Sequence, residues 1–171
     1  MSEYWDERWR KGQQPTLAVD VADAVDRSIF DLISTGENYC KSVLDFGAGI
    51  GRWRDFFVER QFAYYAHDAS EEAARVGQNR GIEYGQRKCD LVFTNTVLIH
   101  ADDSAFAEVL SLAAKKIICV ETCWPHPPVT QCDHMRYRAL HEFISLFGDR
   151  VTVERIERVG VHHLFVFSIA D

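Results

Sequence analysis

Two kinds of apolar pattern take turns along the chain. Short apolar runs at Val43, Leu44 and Phe46, at Phe62 to His67, at Asp90 to Thr94 and at Lys116 to Val120 have the length and continuity of strands buried on both faces. Between them lie stripes at helical spacing. Leu17, Val21, Ala24, Val25, Ile29 and Leu32 predict a helix opened by Pro15 and Thr16, running through Ile33 and stopped by Gly36. Trp53, Phe56 and Phe57 mark the inner face of a helix from near Arg52 to near Arg60, and Glu71 to Arg80 forms another. Phe106, Val109, Leu110 and Ala113 belong to a helix capped by Asp102 or Asp103 and extending through Ala114. Tyr137, Leu140, Phe143, Ile144 and Phe147 define the last, ended by Gly148. Val151 to Val159 and Val161 to Ile169 then predict two strands of a hairpin joined at Gly160. At the other end Tyr4, Trp5, Arg8 and Trp9 share one face of a short aromatic helix that stops near Gly12. Strands alternating with helices predict an α/β fold.

At 171 residues with 47% hydrophobic side chains, the chain suits one domain with a full core, and a single domain over 1–171 is expected. Composition narrows the partners. The net charge is −7, and 19 Lys and Arg are scattered among 26 acidic residues with no basic run longer than Arg87-Lys88, which argues against a nucleic-acid partner. The five cysteines, Cys40, Cys89, Cys119, Cys123 and Cys132, are odd in number and two fall inside core strands, as in a reduced, cytoplasmic protein. The opening MSEYWDERWR has no apolar leader, and no run approaches the ~18 apolar residues of a membrane span, so no membrane partner is expected.

The densest chemistry lies in Ser42 to Trp53, SVLDFGAGIGRW. An apolar strand ends at Phe46, and Gly47, Gly49 and Gly51 let the backbone turn sharply into the next helix. Glycine suits such a turn because some of its positions need positive φ, and because a side chain would hold a ligand off the backbone N–H groups. Strand, glycine turn and helix N-terminus together make a cradle for an adenosyl cofactor. A dinucleotide fingerprint carries its third glycine three residues after the second, where this chain has Arg52; the pattern is instead D-x-G-x-G-x-G from Asp45. In that form the segment resembles the first motif of class I S-adenosylmethionine (SAM) dependent methyltransferases. The resemblance implies a Rossmann-like three-layer sandwich, with a mostly parallel sheet and a C-terminal antiparallel hairpin. It implies SAM as cofactor and S-adenosylhomocysteine as product. Asp45 would help to hold the amino group of SAM, while Gly47, Ala48, Gly49 and Gly51 lie against its methionine part.

The chain from Ser42 onward follows the same family in order, with one gap. Asp68, followed by Ala69, ends the second strand where the resemblance implies a carboxylate that accepts hydrogen bonds from both ribose hydroxyls; on the residues alone, Asp68 or Ser70 could cap the next helix. After Ile82-Glu83-Tyr84 only Gln86, Arg87, Lys88 and Cys89 precede the next strand. In the family's order the third and fourth strands lie about 14 Å apart, and a parallel return adds a strand length. Four residues span at most about 14 Å, and a crossover usually takes about a dozen. The third strand is therefore expected to be missing or degenerate, leaving six strands with the second as an edge and only Gln86 and Arg87 as adenine contacts. DLVFTNTVLIH resembles the family's motif at the end of its fourth strand, which brings Thr94, Asn95 and Thr96 to the crevice near the sulfonium. YWDERWRKG resembles the N-terminal segment of many small-molecule methyltransferases, the thiopurine type among them, that closes over SAM. Residues 1–36 are then a helical lid with Trp9 on the cofactor, the alternative being that Trp5 and Trp9 simply pack on the domain.

Methyl transfer from a sulfonium depends chiefly on in-line positioning, and a base is needed only where the acceptor must lose a proton. His100, just past the fourth-strand motif, is the first candidate base, since an unperturbed imidazole titrates near 6.5; the alternative is a histidine that only shapes the loop. Glu121, at the end of the fifth strand, is the second, or else an ion-pair partner of Arg52 or Lys115. Residues 122–135, TCWPHPPVTQCDHM, carry three of the four prolines and no core periodicity, as expected of a substrate-side insertion. Cys123, His126, Cys132 and His134 are spaced C-x2-H-x5-C-x-H, which is not a usual structural zinc pattern, and no metal is expected. The expected activity is methyl transfer from SAM to an oxygen or nitrogen of a small-molecule acceptor. Protein or RNA methylation is the alternative enzyme reading, disfavoured by the acidic charge and the lack of an NPPY-like motif. A non-catalytic SAM-binding partner subunit is the alternative that the trimmed adenine side allows.

Overall fold

The computed structural model describes residues 4, 6, 7, 10, 11, 19–34, 39–123 and 135–170. Trp5 and Trp9, the Pro15 start and Gly36 stop of the first long helix, and positions 124–134 with His126, Cys132 and His134 lie outside the described residues. Helix α1 (Val19–Ser34) buries Val21, Ala24, Val25 and Ile29, four members of the stripe that its spacing predicts. Strand β1 (Ser42–Phe46) leads through the glycine turn to α2 (Arg54–Glu59), β2 (Ala63–His67) and α3 (Glu71–Gln78). Then come β3 (Cys89–Asn95), α4 (Ser104–Leu112), β4 (Ala113–Glu121), α5 (Leu140–Ser145), a 3₁₀ turn (Gly148–Arg150), and the hairpin of β5 (Val151–Val159) and β6 (His162–Ile169).

The six strands form one sheet in the order β2-β1-β3-β4-β6-β5. The first four are parallel, and β6 returns antiparallel between β4 and β5. Because successive side chains on a strand point to opposite faces, each central strand feeds two cores. Val43, Leu91, Phe93, Ile118 and Val120 pack with α1, Trp53 and Phe57 on one face. Leu44, Val92, Ile117, Phe165 and Phe167 pack with Phe106 of α4 and Phe143 of α5 on the other. No helix among the described residues is long and apolar enough to cross a membrane.

The missing third strand is the feature on which the length argument turned, and the sheet has it reduced to one contact. Tyr84 makes a single parallel bridge to Ala66, whose N–H donates to the Glu83 carbonyl at 3.0 Å and whose carbonyl accepts from Gly85 at 2.9 Å. Elsewhere the element bounds moved. β4 starts at Ala113 rather than Lys116, because Ala113 already pairs with Cys89 of β3, and α4 ends at Leu112 rather than Ala114. The helix expected from Tyr137 starts at Leu140, because the two preceding arginines are drawn to another segment: Arg136 N–H donates to the Ile99 carbonyl at 2.6 Å, and the Arg138 guanidinium reaches the same turn.

Candidate active site

The parallel strands all end at one edge, and the turns that leave them enclose a cleft of about 220 Å³. It is lined by Phe46 to Gly49 and Arg52 after β1, His67 to Ala69 at the end of β2, and Asn95 to Val97 with His100 and Ala101 after β3. Ala105 and Glu108 of α4 complete it. Three stretches far apart in sequence are thus brought to one place by strand order alone.

The glycines serve two different needs. Gly47, Gly49 and Gly51 all have positive φ, at 78°, 58° and 77°. Space is the second need: a Cβ on Gly47 would meet Val97 Cγ2 at 2.3 Å, and one on Gly51 would meet Ile82 Cδ1 at 2.2 Å. Three amides of the turn already have partners at the end of β2. Gly47 and Ala48 N–H donate to the His67 carbonyl at 2.7 and 3.0 Å, and Gly49 N–H donates to Asp68 Oδ2 at 2.6 Å. The turn is therefore sewn to the end of β2. Tyr84 holds it from the other side, its hydroxyl donating to the Gly49 carbonyl at 2.6 Å.

Asp68 reaches the cleft with its carboxylate only partly used. Besides Gly49 it accepts Ser70 N–H at Oδ1, 2.8 Å away, and burial raises its pKa above the usual carboxylate value. Capping of α3 falls to Ser70, whose hydroxyl accepts from Ala73 N–H at 3.1 Å. The Ser70 hydroxyl in turn donates to Asp6 at 2.5 Å, which ties the N-terminal segment to the start of α3.

The turn after β3 is clamped at both ends. Thr96 takes a positive φ of 55°, an unusual conformation for a β-branched residue, with its N–H donating to the Val120 carbonyl at 2.8 Å. Glu121, fully buried at the end of β4, accepts Val97 and Leu98 N–H at Oε1 (3.0 and 3.1 Å), Ile99 N–H at Oε2 (3.3 Å) and the Thr94 hydroxyl (3.1 Å). Arg138 gathers the carbonyls, donating to Leu98 at 2.8 Å and Ala101 at 3.0 Å while pairing with Asp103 at 2.7 Å. Between the clamps sits His100, 7% exposed, on the cleft wall.

The cleft gathers some of the residues named from the sequence and leaves others beneath it. Gly47, Ala48, Gly49, Asp68, Ala69, Asn95, Thr96 and His100 come together on the cleft. Asp45, Gly51, Thr94 and Glu121 do not line it. Asp45 lies beneath the turn, 2% exposed, where its carboxylate accepts the Tyr64 hydroxyl at 2.6 Å. Glu121 is committed to the loop and reaches no surface from which to take a proton. Burial raises both carboxyl pKa values to about 7. Sequence reasoning missed Arg138, Tyr84, His67 and Glu108; only Tyr84 left a trace, as the aromatic residue in the stretch where a strand should be.

A sequence profile described as a methyltransferase domain matches residues 15–153. No curated protein matches the chain. In structure the chain is similar to magnesium protoporphyrin IX methyltransferase from Synechocystis, solved with bound SAM, at 16% identity and a TM-score of 0.71, covering 99% of this chain and 95% of that one. A SAM-dependent methyltransferase from Clostridium acetobutylicum is 10% identical with a TM-score of 0.72, over 99% and 97% of the two chains. Geranyl diphosphate C-methyltransferase from Streptomyces coelicolor is 12% identical with a TM-score of 0.65, over 86% and 79%. At these identities the likeness is one of fold.

Proposed function

Because the chain belongs to the methyltransferase domain family, and so is a SAM-dependent methyltransferase with a Rossmann-like fold, we propose that it methylates an oxygen or nitrogen of a small-molecule acceptor in the cleft above the sheet. The observation that carries this reading is the meeting of the D-x-G-x-G-x-G turn, Asp68 and the Asn95 to His100 segment around one cleft. The residues present fit SAM. Asp68 offers two oxygens with about four lone-pair sites. The two backbone N–H groups already bound leave acceptor capacity for ribose hydroxyls. Asn95 and Thr96 stand across the cleft, and the Gly47 turn closes its floor against Val97. When bound, SAM supplies a sulfonium methyl that passes to the acceptor as its C–S bond breaks, leaving S-adenosylhomocysteine.

The chain's own part is positioning, exclusion of water and, where the acceptor ionises, a base. His100 takes that proton, and the clamps on its turn fix where the imidazole stands. A small acceptor is supported by the net charge of −7, which disfavours a nucleic-acid one, and by the small molecules for which the magnesium protoporphyrin and geranyl diphosphate enzymes are named.

Ligand-dependent melting tests the cofactor. SAM or S-adenosylhomocysteine at a hundredfold excess over Kd is expected to add about 2.7 kcal/mol, a rise of roughly 5–11 °C in Tm, with no response to NADH. Equal responses to NADH, or none to either adenosyl ligand, contradict the reading. Once an acceptor is found, His100→Ala is expected to lower kcat by roughly 10²-fold while SAM affinity stays within a few-fold. A loss carried instead by SAM affinity or by Tm makes His100 a structural residue.

A further inference from the structure

One end of the cleft is a slot that the proposed function leaves without a role. Its lining is apolar: Phe46 at the end of β1, Ala101 on the turn before α4, and Ala105 in the first turn of α4. At its rim stand two polar side chains, His67 at the end of β2 and Glu108 on α4, one turn beyond Ala105. The His67 ring leans on Phe46 with centroids 5.0 Å apart, so that one edge of the imidazole faces Glu108, its Nε2 3.7 Å from Oε1. Gln86, from the segment that replaces the third strand, donates from Nε2 to the same Oε1 at 2.5 Å. Both contacts fall on one carboxylate oxygen, which orients the group and leaves Oε2 for a donor on a ligand.

We infer that Glu108 is the group that recognises the adenine of SAM, accepting a hydrogen bond from its exocyclic 6-amino group. This rests on the cleft being the SAM site. A purine presents two apolar faces and a polar edge, the shape and chemistry of this slot. Among the described residues the segment after α3 forms no third strand from which to project an acceptor, and α4 supplies one. Gln86 then acts at one remove: it holds the carboxylate rather than touching the base. His67 lies against the same oxygen.

The inference is tested by a cycle of ligand and protein variants. Binding constants are measured by calorimetry for S-adenosylhomocysteine and for S-inosylhomocysteine, in which a carbonyl oxygen replaces the 6-amino group, with the unaltered protein, Glu108→Gln and Glu108→Ala. A carboxylate accepts from an amino group and repels a carbonyl, and the proton that the 6-oxo ring carries on N1 lies one ring position away from the substituent Glu108 is inferred to face, so the unaltered protein is expected to prefer the adenosyl ligand by roughly 10- to 100-fold. Glu108→Ala should bring that ratio close to one, and Glu108→Gln, whose amide can donate to the carbonyl, should improve binding of the inosyl ligand. Glu108 is a partly exposed helix residue, its side chain 36% accessible, so melting of the unliganded variants is expected to change little and serves as the control. If S-adenosylhomocysteine binds but the ratio is the same in Glu108→Ala, the inference fails and the cleft assignment stands. If the unaltered protein binds neither ligand, the cleft assignment fails and takes this inference with it.

Discussion

Asp45 and Glu121 are carboxylates held away from water, and their burial gives the protein a pH response. Each has a folded pKa of about 7, above the unfolded value of about 4. The folded state therefore holds these protons more tightly, and the stability they contribute is complete below about pH 4, falls as pH rises through 7, and is level above it. The carboxylates lowered by partners, such as Asp26 beside Arg60, act the other way, but only in acid near and below their unfolded pKa. Urea unfolding is expected to show stability declining between about pH 5 and 7.5. Asp45→Asn, whose amide oxygen can still accept from Tyr64, should flatten part of that slope and be more stable than the parent at pH 8, by on the order of 2 kcal/mol. A parent profile that rises across this window contradicts the assignment. The sequence made Asp45 visible as a motif residue but not its use: D-x-G-x-G-x-G says nothing of a tyrosine 19 residues on whose hydroxyl turns under the loop. Glu121 was likewise legible by its place at a strand end, and its four donors were not, since three of them are backbone groups.

Among the elements, the turn from Val97 to Ala101 has two backbone hydrogen bonds of its own, His100 N–H to the Val97 carbonyl and Ala101 N–H to the Leu98 carbonyl, and the rest of its order comes from β4 and from Arg138. A guanidinium suits the task because its planar fork reaches two carbonyls and a carboxylate from two separate nitrogens, a spread that a compact ammonium does not match. Arg138→Ala is expected to lower stability by about 2–3 kcal/mol, or roughly 4–12 °C in Tm, and Arg138→Lys to recover less than half of the loss. Full recovery by lysine would reduce the arginine to a bulk charge near Asp103. The strands and the helix stripes were readable because burial alone decides them. Arg138 was not, because it sits one position into an apolar pattern, between Tyr137 and Leu140, and what draws it out is a turn 37 residues earlier.

For the molecule as a whole, the legible fact was a length. Four residues cannot cross the distance that a third strand and its helix would require, and the sheet is six-stranded with β2 at its edge. What the arithmetic did not reveal is how that edge is finished, because Tyr84 joins it through Ala66 alone while its hydroxyl reaches the glycine turn. The single bridge has a consequence for solvent access to the backbone. In β2 the odd-numbered residues face β1, as Ala63 N–H donating to the Lys41 carbonyl and the His67 carbonyl accepting from Gly47 both require. Tyr64 and Ala66 face outward, and Ala66 has the bridge. In deuterated buffer, two neighbours on one strand should then part company: the Tyr64 amide should exchange its hydrogen at least about tenfold faster than the Tyr65 amide, with Ala66 between them. Equal protection along β2 would mean that in solution the edge carries a longer partner than one tyrosine.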